Sequence, residues 1–179
     1  AGRLSVSYPR DEGMIPCYYS RLPGASCDYL EGSATPLYPF GHGLSYTKFE
    51  YSDLTLAPLG GTNCEVSFTV TNVGGRDGDE VVQLYGVDPI ASIVRPAEEL
   101  VGFRRITLEP GQSKTVTFTF NIDILAFYDE PNHWIVEKGS FEFYIGKNSK
   151  EPVCAGTVTV PKTHKIDHRT RCLIAKADC

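Results

Sequence analysis

Carboxylates and histidines are the side chains of this sequence that could carry chemistry, and their spacing decides what they can do. Glu98–Glu99 and Asp129–Glu130 are adjacent acid pairs, and Asp77 and Asp79 flank a glycine. Paired acids are the working groups of many hydrolases. All of these lie in turns or at strand entries, where solvation and backbone hydrogen bonding already account for Asp and Glu. His42 has Ser45 three residues on, but no G-x-S-x-G elbow surrounds that serine. A packing or hydrogen-bonding role at a junction is the favoured reading of His42. The C-terminal stretch offers His164, His168, Cys172 and Cys179, residue types that suit zinc. Neither a helical pattern nor an apolar base supports them, so no metal and no cofactor is expected.

Those residues must be held by something, and from Phe49 onward the pattern is period-two. CEVSFTVTNV puts Val66, Phe68 and Val70 on one face and Ser67, Thr69 and Thr71 on the other. KTVTFTFN does the same with Val116, Phe118 and Phe120, and SFEFYIG with Phe141, Phe143 and Ile145. Such alternation describes strands with one buried and one wet face. DEVVQLYGVDP and ELVGFRRITL are further β-branched or aromatic runs. NVGGRDGD, LEPGQSK, YDEPNH and VEKGS supply turns between them. The expectation is a mainly β fold: an antiparallel, immunoglobulin- or fibronectin-type sandwich of about seven strands over residues 49–160. NIDILAF reads as one helical turn with Asp123 as its N-cap.

Residues 1–35 are interrupted by Pro9, Pro16 and Pro23 and cannot bury a core alone. They read as the incomplete end of another unit, and residues 36–48 as a linker. The opening AGRLSVSYPRDEGM carries no signal-peptide pattern, and the sequence reads as the C-terminal part of something larger. Residues 161–179 are basic and patternless and are expected to be a poorly ordered tail. In the linker, TPLYPFGHGLSYTKFEY gathers aromatics among Pro and Gly. Tyr38, Phe40, His42, Tyr46 and Phe49 are expected to grip a neighbouring surface; a sugar-stacking platform is the alternative.

Bulk properties limit the partners. The 179 residues carry a net charge of −5, which argues against binding a phosphate backbone. No apolar run reaches the roughly 18–20 residues that span a bilayer, so neither nucleic acid nor membrane is an expected partner. Six cysteines, Cys17, Cys27, Cys64, Cys154, Cys172 and Cys179, include no C-x-x-C. Cys17–Cys27 is the simplest pairing in an exported protein, and six free thiols suit a reducing compartment equally. The compartment stays open, with a secreted or periplasmic setting slightly favoured.

GRLSVSYPR, PLYPFGHGLSYTKFEYSDL, VTNVGGRDGDEVVQLY, RPAEELVGFRRITLEPGQSKTVTFTF and LAFYDEPNHWIVEKGSFEFYIG, in that order, resemble the C-terminal region of glycoside hydrolase family 3, the β-glucosidase and β-xylosidase type. The resemblance implies a three-part parent: a TIM-type barrel, an α/β sandwich whose end is residues 1–35, and a fibronectin type III-like sandwich. It implies a retaining parent, acting on a β-linked oligosaccharide or aryl glycoside through a nucleophile and an acid/base carboxylate. Neither carboxylate can be carried over, because the family's SDW-type motif does not occur here and its acid/base lies upstream. The implied role is a structural buttress for catalytic domains elsewhere. A carbohydrate- or surface-binding module is the competing reading, and β-xylosidase or α-arabinofuranosidase the alternative parent activity.

Overall fold

The alternating faces of the sequence become alternating burial in a computed structural model, which describes residues 2–23, 35–129, 132–167 and 169–179. Seven long strands carry the architecture: β1 (Phe49–Gly60), β2 (Asn63–Asn72), β3 (Gly78–Val87), β4 (Glu99–Leu108), β5 (Ser113–Asn121), β8 (Gly139–Gly146) and β9 (Pro152–Val160). Four short strands join them: β6 (Phe127–Tyr128), β7 (Trp134–Val136), β10 (His164–Ile166) and β11 (Lys176–Asp178). One sheet runs β1-β2-β5-β11, the other β4-β3-β8-β9, and β10-β7-β6 forms a small third sheet. All pairings are antiparallel.

The two large sheets close over the side chains that the period-two pattern places inward. Val66, Phe68 and Val70 of β2 and Val116, Phe118 and Phe120 of β5 meet Phe141, Phe143 and Ile145 of β8 in one core. Phe120 and Phe143 touch across the sandwich with ring centroids 4.5 Å apart. Each such fully buried side chain contributes about 1.5–3 kcal/mol, so this core is the main stabilising term. The loop after β5 is a short 3-10 turn, Ile122–Leu125, and its cap is not Asp123. Asn121 caps it: its side-chain oxygen accepts from the Asp123 N–H at 2.9 Å, while Asp123 lies within the first turn.

The stretch 161–179, expected to lack pattern and order, supplies β10 and β11. β11 adds to the edge of β5, covering backbone groups that an edge strand would otherwise present. Just before it, the Ala175 N–H bonds to the Val101 carbonyl at 2.7 Å, so the tail spans from one sheet to the other. Gly102 permits that approach, because a Cβ there would lie 3.0 Å from the Ala175 methyl and 3.1 Å from the Phe118 ring. Arg171 stacks its guanidinium 4.1 Å over the Trp134 ring. Segments of three residues carry too little alternation to read, which is why this closure is invisible in the sequence.

Asn72 fixes where the linker enters the sandwich. It is fully buried, and its amide nitrogen donates to the Arg76 and Leu108 carbonyls at 2.8 and 3.0 Å. Its oxygen accepts from the Thr47 hydroxyl at 2.6 Å and the Gly74 N–H at 3.1 Å. Asn72→Ala strips partners from a buried carbonyl and a half-buried turn at once, so a loss of about 2–4 kcal/mol is expected. Urea unfolding checks it; a loss below about 1 kcal/mol would contradict this reading.

Candidate interdomain interface

Residues 2–8 and 37–42 run against each other before the sandwich begins. The Leu4 N–H bonds to the His42 carbonyl, Gly41 N–H to Leu4, Tyr8 N–H to Tyr38 and Leu37 N–H to Tyr8, each at 2.8 Å. This paired ribbon lies over the outer face of β3, which is therefore buried on both sides: Val82 and Leu84 face the core, while Gln83 and Tyr85 face the ribbon. Gln83 donates to the Lys147 carbonyl at 3.0 Å and to the Gly41 carbonyl at 3.4 Å, and accepts from the Tyr85 hydroxyl. Gly41 has φ 78°, and a Cβ there would lie 2.2 Å from Gln83 Oε1. Both facts require glycine.

Two further contacts lock the ribbon to the sandwich. Arg3 donates to the Gly43 carbonyl at 3.1 Å and to Glu80 Oε1 at 2.5 Å. Glu80, 1% exposed, also accepts from the Tyr51 hydroxyl at 2.8 Å, and burial together with Glu80 pushes that hydroxyl's pKa up. At the other end Tyr19 stacks on Phe40 at 4.1 Å and meets Tyr85 edge-on at 6.3 Å. The Tyr19 oxygen accepts from the Leu100 N–H at 3.1 Å, and the Ala97 N–H reaches the Arg21 carbonyl at 2.9 Å. The Glu98 carboxyl lies beside this strap, and burial raises its pKa to about 7 against the pull of Lys150.

The five expected interface residues are thus divided. Tyr38 is exposed, and its ring stacks on His42 with centroids 5.0 Å apart. Tyr46 is 95% exposed and its neighbour Leu44 84%. Phe40 is half-buried against Tyr19, with only part of its surface free. Phe49 needs correcting: at 5% exposure it belongs to the sandwich core and has no surface to offer a neighbour. It is the first residue of β1, where the inward phase of the strand has already begun. Among the described residues, nine of nineteen exposed large apolar side chains fall between Val6 and Tyr46. Among the described residues, the stretch from Val6 to Tyr46 is therefore the part of the chain richest in exposed apolar side chains.

Three of the candidate acids, Asp79, Glu99 and Asp129, have structural partners. The Thr107 hydroxyl and the Arg105 guanidinium hold Asp79 down at about 2. Glu99 pairs with Arg95 at 2.8 Å, and Asp129 accepts from the His133 N–H at 2.7 Å. Glu130 lies outside the described residues, as do Cys27, its suggested pairing with Cys17, and His168. The other tail ligands do not converge. His164 reaches toward Asp123 at 3.4 Å, the Cys172 thiol bonds to the Ile174 carbonyl, and Cys179 lies 3.5 Å from Arg104. Among the described residues no three His, Cys, Asp or Glu side chains gather as metal ligands. Glu98 departs from the solvated role expected of it, being half-buried with a raised pKa.

Residues 80–149 match the fibronectin type III-like domain. The chain is 41% identical over 163 residues to a periplasmic β-glucosidase of Salmonella typhimurium, covering 83% of this chain and 21% of that protein. It is 43% identical over 157 residues to a β-xylosidase of Formosa agariphila, covering 83% of this chain and 22% of the relative. The chain belongs to glycoside hydrolase family 3. It corresponds to the C-terminal region of that family's enzymes and spans about a fifth of the length of these curated relatives. A solved β-glucosidase of Erythrobacter marinus superimposes on it with a TM-score of 0.82 at 38% identity, covering 88% of this chain and 21% of that one. Three of the blocks that carry the family likeness in the sequence also join the ribbon to the sandwich: GRLSVSYP supplies Arg3 and Tyr8, PFGHGLSYT supplies Gly41 and Thr47, and DGDEVVQLY supplies Glu80, Gln83 and Tyr85. Among the described residues no helix is long and apolar enough to cross a membrane.

Arg3, Tyr19, Glu80, Gln83 and Tyr85 are members of this junction that the residue pattern does not single out. A signal for Glu80 was present: it shares the inward phase of β3 with Val82 and Leu84, where an acid demands a partner.

Proposed function

We propose that this chain is the C-terminal buttress of a retaining glycoside hydrolase acting on β-linked glucosides or xylosides, and that it contributes neither nucleophile nor acid/base. The apolar concentration between Val6 and Tyr46 carries the reading. A segment latched to the sandwich on one side and apolar on the other is suited to lie beneath a further domain. The relatives' names, β-glucosidase and β-xylosidase, supply the substrate class, and the name of the Salmonella relative, periplasmic, favours a parent outside the cytoplasm.

The test compares the 179-residue chain with its parent enzyme on 4-nitrophenyl β-glucoside and β-xyloside. No turnover is expected from the chain alone. In the parent, Tyr46→Ser with Leu44→Ser is expected to lower thermal stability while the intrinsic KM of surviving enzyme changes less than about twofold, because binding lies elsewhere. Turnover by the isolated chain, or a parent indifferent to the double substitution, would overturn the buttress.

A further inference from the structure

The two flanks of the sandwich are finished differently. On the β4–β5 flank the tail crosses from Ala175 to β11 and covers the gap between sheets. On the opposite flank, the edge strands β1 and β9 approach each other at Leu56 and Gly156, where a Cβ on the glycine would lie 3.0 Å from the Leu56 side chain. Further along they part. The register of β1 slips between Ser52 and Thr55, and Asp53 at its centre has φ 54°, a left-handed conformation that Asp tolerates better than most residues. Bulges of this kind re-aim side chains and recur beside binding sites.

Beside the slip lies a cleft of about 270 Å³, lined by residues of both sheets. Leu54, Phe68, Ile145 and Val153 form its apolar walls, and Ser52, Asp53, Lys147 and Glu151 its rim. A cavity of about 150 Å³ already accepts benzene, and sites for larger ligands start near 300 Å³. The space therefore suits one ring with a short substituent. The rim decides what that substituent is. Lys147 is committed: its ammonium donates to the Phe49 carbonyl at 2.8 Å and lies 5.4 Å from the centre of the Tyr51 ring. Among the described residues Asp53 accepts the neighbouring Ser52 hydroxyl at 2.9 Å; its carboxylate and that of Glu151 set two negative charges against the one that Lys147 keeps, so the rim is net negative. A saccharide would leave most of its hydroxyls against aliphatic walls without partners.

We propose that this flank is a binding site for a small aromatic cation, an arylalkylammonium of about the size of benzylamine. The ring enters between Leu54 and Val153 toward Phe68, and the ammonium stays at the rim with Asp53 and Glu151.

Benzylamine, titrated into the 179-residue chain and followed by ¹H–¹⁵N amide shifts, is expected to saturate. The shifts should be confined to residues 51–54, 68, 145–147, 151 and 153. Benzoate, equal in size and opposite in charge, is expected to bind at least about tenfold more weakly. Val153→Trp, at an exposed position, should fill the mouth and abolish binding with the fold intact. Asp53→Asn keeps a residue that accepts the left-handed backbone and removes the charge; combined with Glu151→Gln it should erase the preference for the amine. Non-saturating or scattered shifts, benzoate binding as well as benzylamine, or Val153→Trp binding as the unaltered chain does would each overturn the proposal.

Discussion

Arg3→Ala is expected to destabilise the chain by about 3–5 kcal/mol, the cost of leaving a buried charge without its partner. Arg3 and Glu80 have side-chain exposures of 11% and 1%, so water cannot replace the lost guanidinium at Glu80. At about 2–4 °C per kcal/mol for a chain of this size, the melting temperature should fall by about 6–20 °C. The loss should also free the ribbon, since the same guanidinium holds the Gly43 carbonyl. A Lys at position 3 retains charge but not the fork that spans both acceptors, and should recover only part of the loss. The control is to remove the whole polar set. Arg3→Met with Glu80→Leu and Tyr51→Phe leaves no charge unpaired and should cost less than Arg3→Ala alone. If the triple variant proves the less stable, the penalty does not come from the orphaned charge and the latch is misassigned.

How that latch escaped the sequence shows where pattern reading stops. The β-sandwich was legible because each long strand repeats its own evidence: Val66, Phe68 and Val70 predict one another's facing. Contacts between distant segments have no such redundancy. Arg3 and Glu80 are 77 residues apart, and nothing local to either marks the other. Phe49 reads with the interface aromatics because of its neighbours in sequence, yet backbone phase, set by β1 pairing with β2, turns it inward. The tail failed for a related reason. Its strands form because β5 offers an unpaired edge and β7 a second one, so their cause lies in the partner and not in the tail. Asn121 and Asp123 show the resolution limit of local rules: both can cap a turn, and only the geometry shows which one does.

Glu98 gives a pH-dependent effect, and its sign is opposite to the usual carboxylate. Its pKa in the folded chain is about 7, above the ordinary glutamate value of about 4.3–4.5. The first cause is burial beside Tyr19 and the start of β4; Lys150 opposes it. Between about pH 4.5 and 7 the folded chain holds a proton that the unfolded chain has released, so this group makes stability fall as pH rises through that window. Below it both states are protonated and the penalty vanishes; above pH 7 it is complete. Glu98→Gln keeps the shape and removes the charge. The variant should match the unaltered chain at pH 4 and exceed it at pH 8 by about 1–2 kcal/mol, allowing for the solvent that still reaches the carboxyl. The gain should shrink when Tyr19→Ala opens the strap beside the carboxyl and lets water reach it, because burial is the cause of the shift. Paired urea titrations at pH 4, 6 and 8 decide the matter: a Glu98→Gln advantage that stays constant with pH would show that packing, not ionisation, separates the two chains.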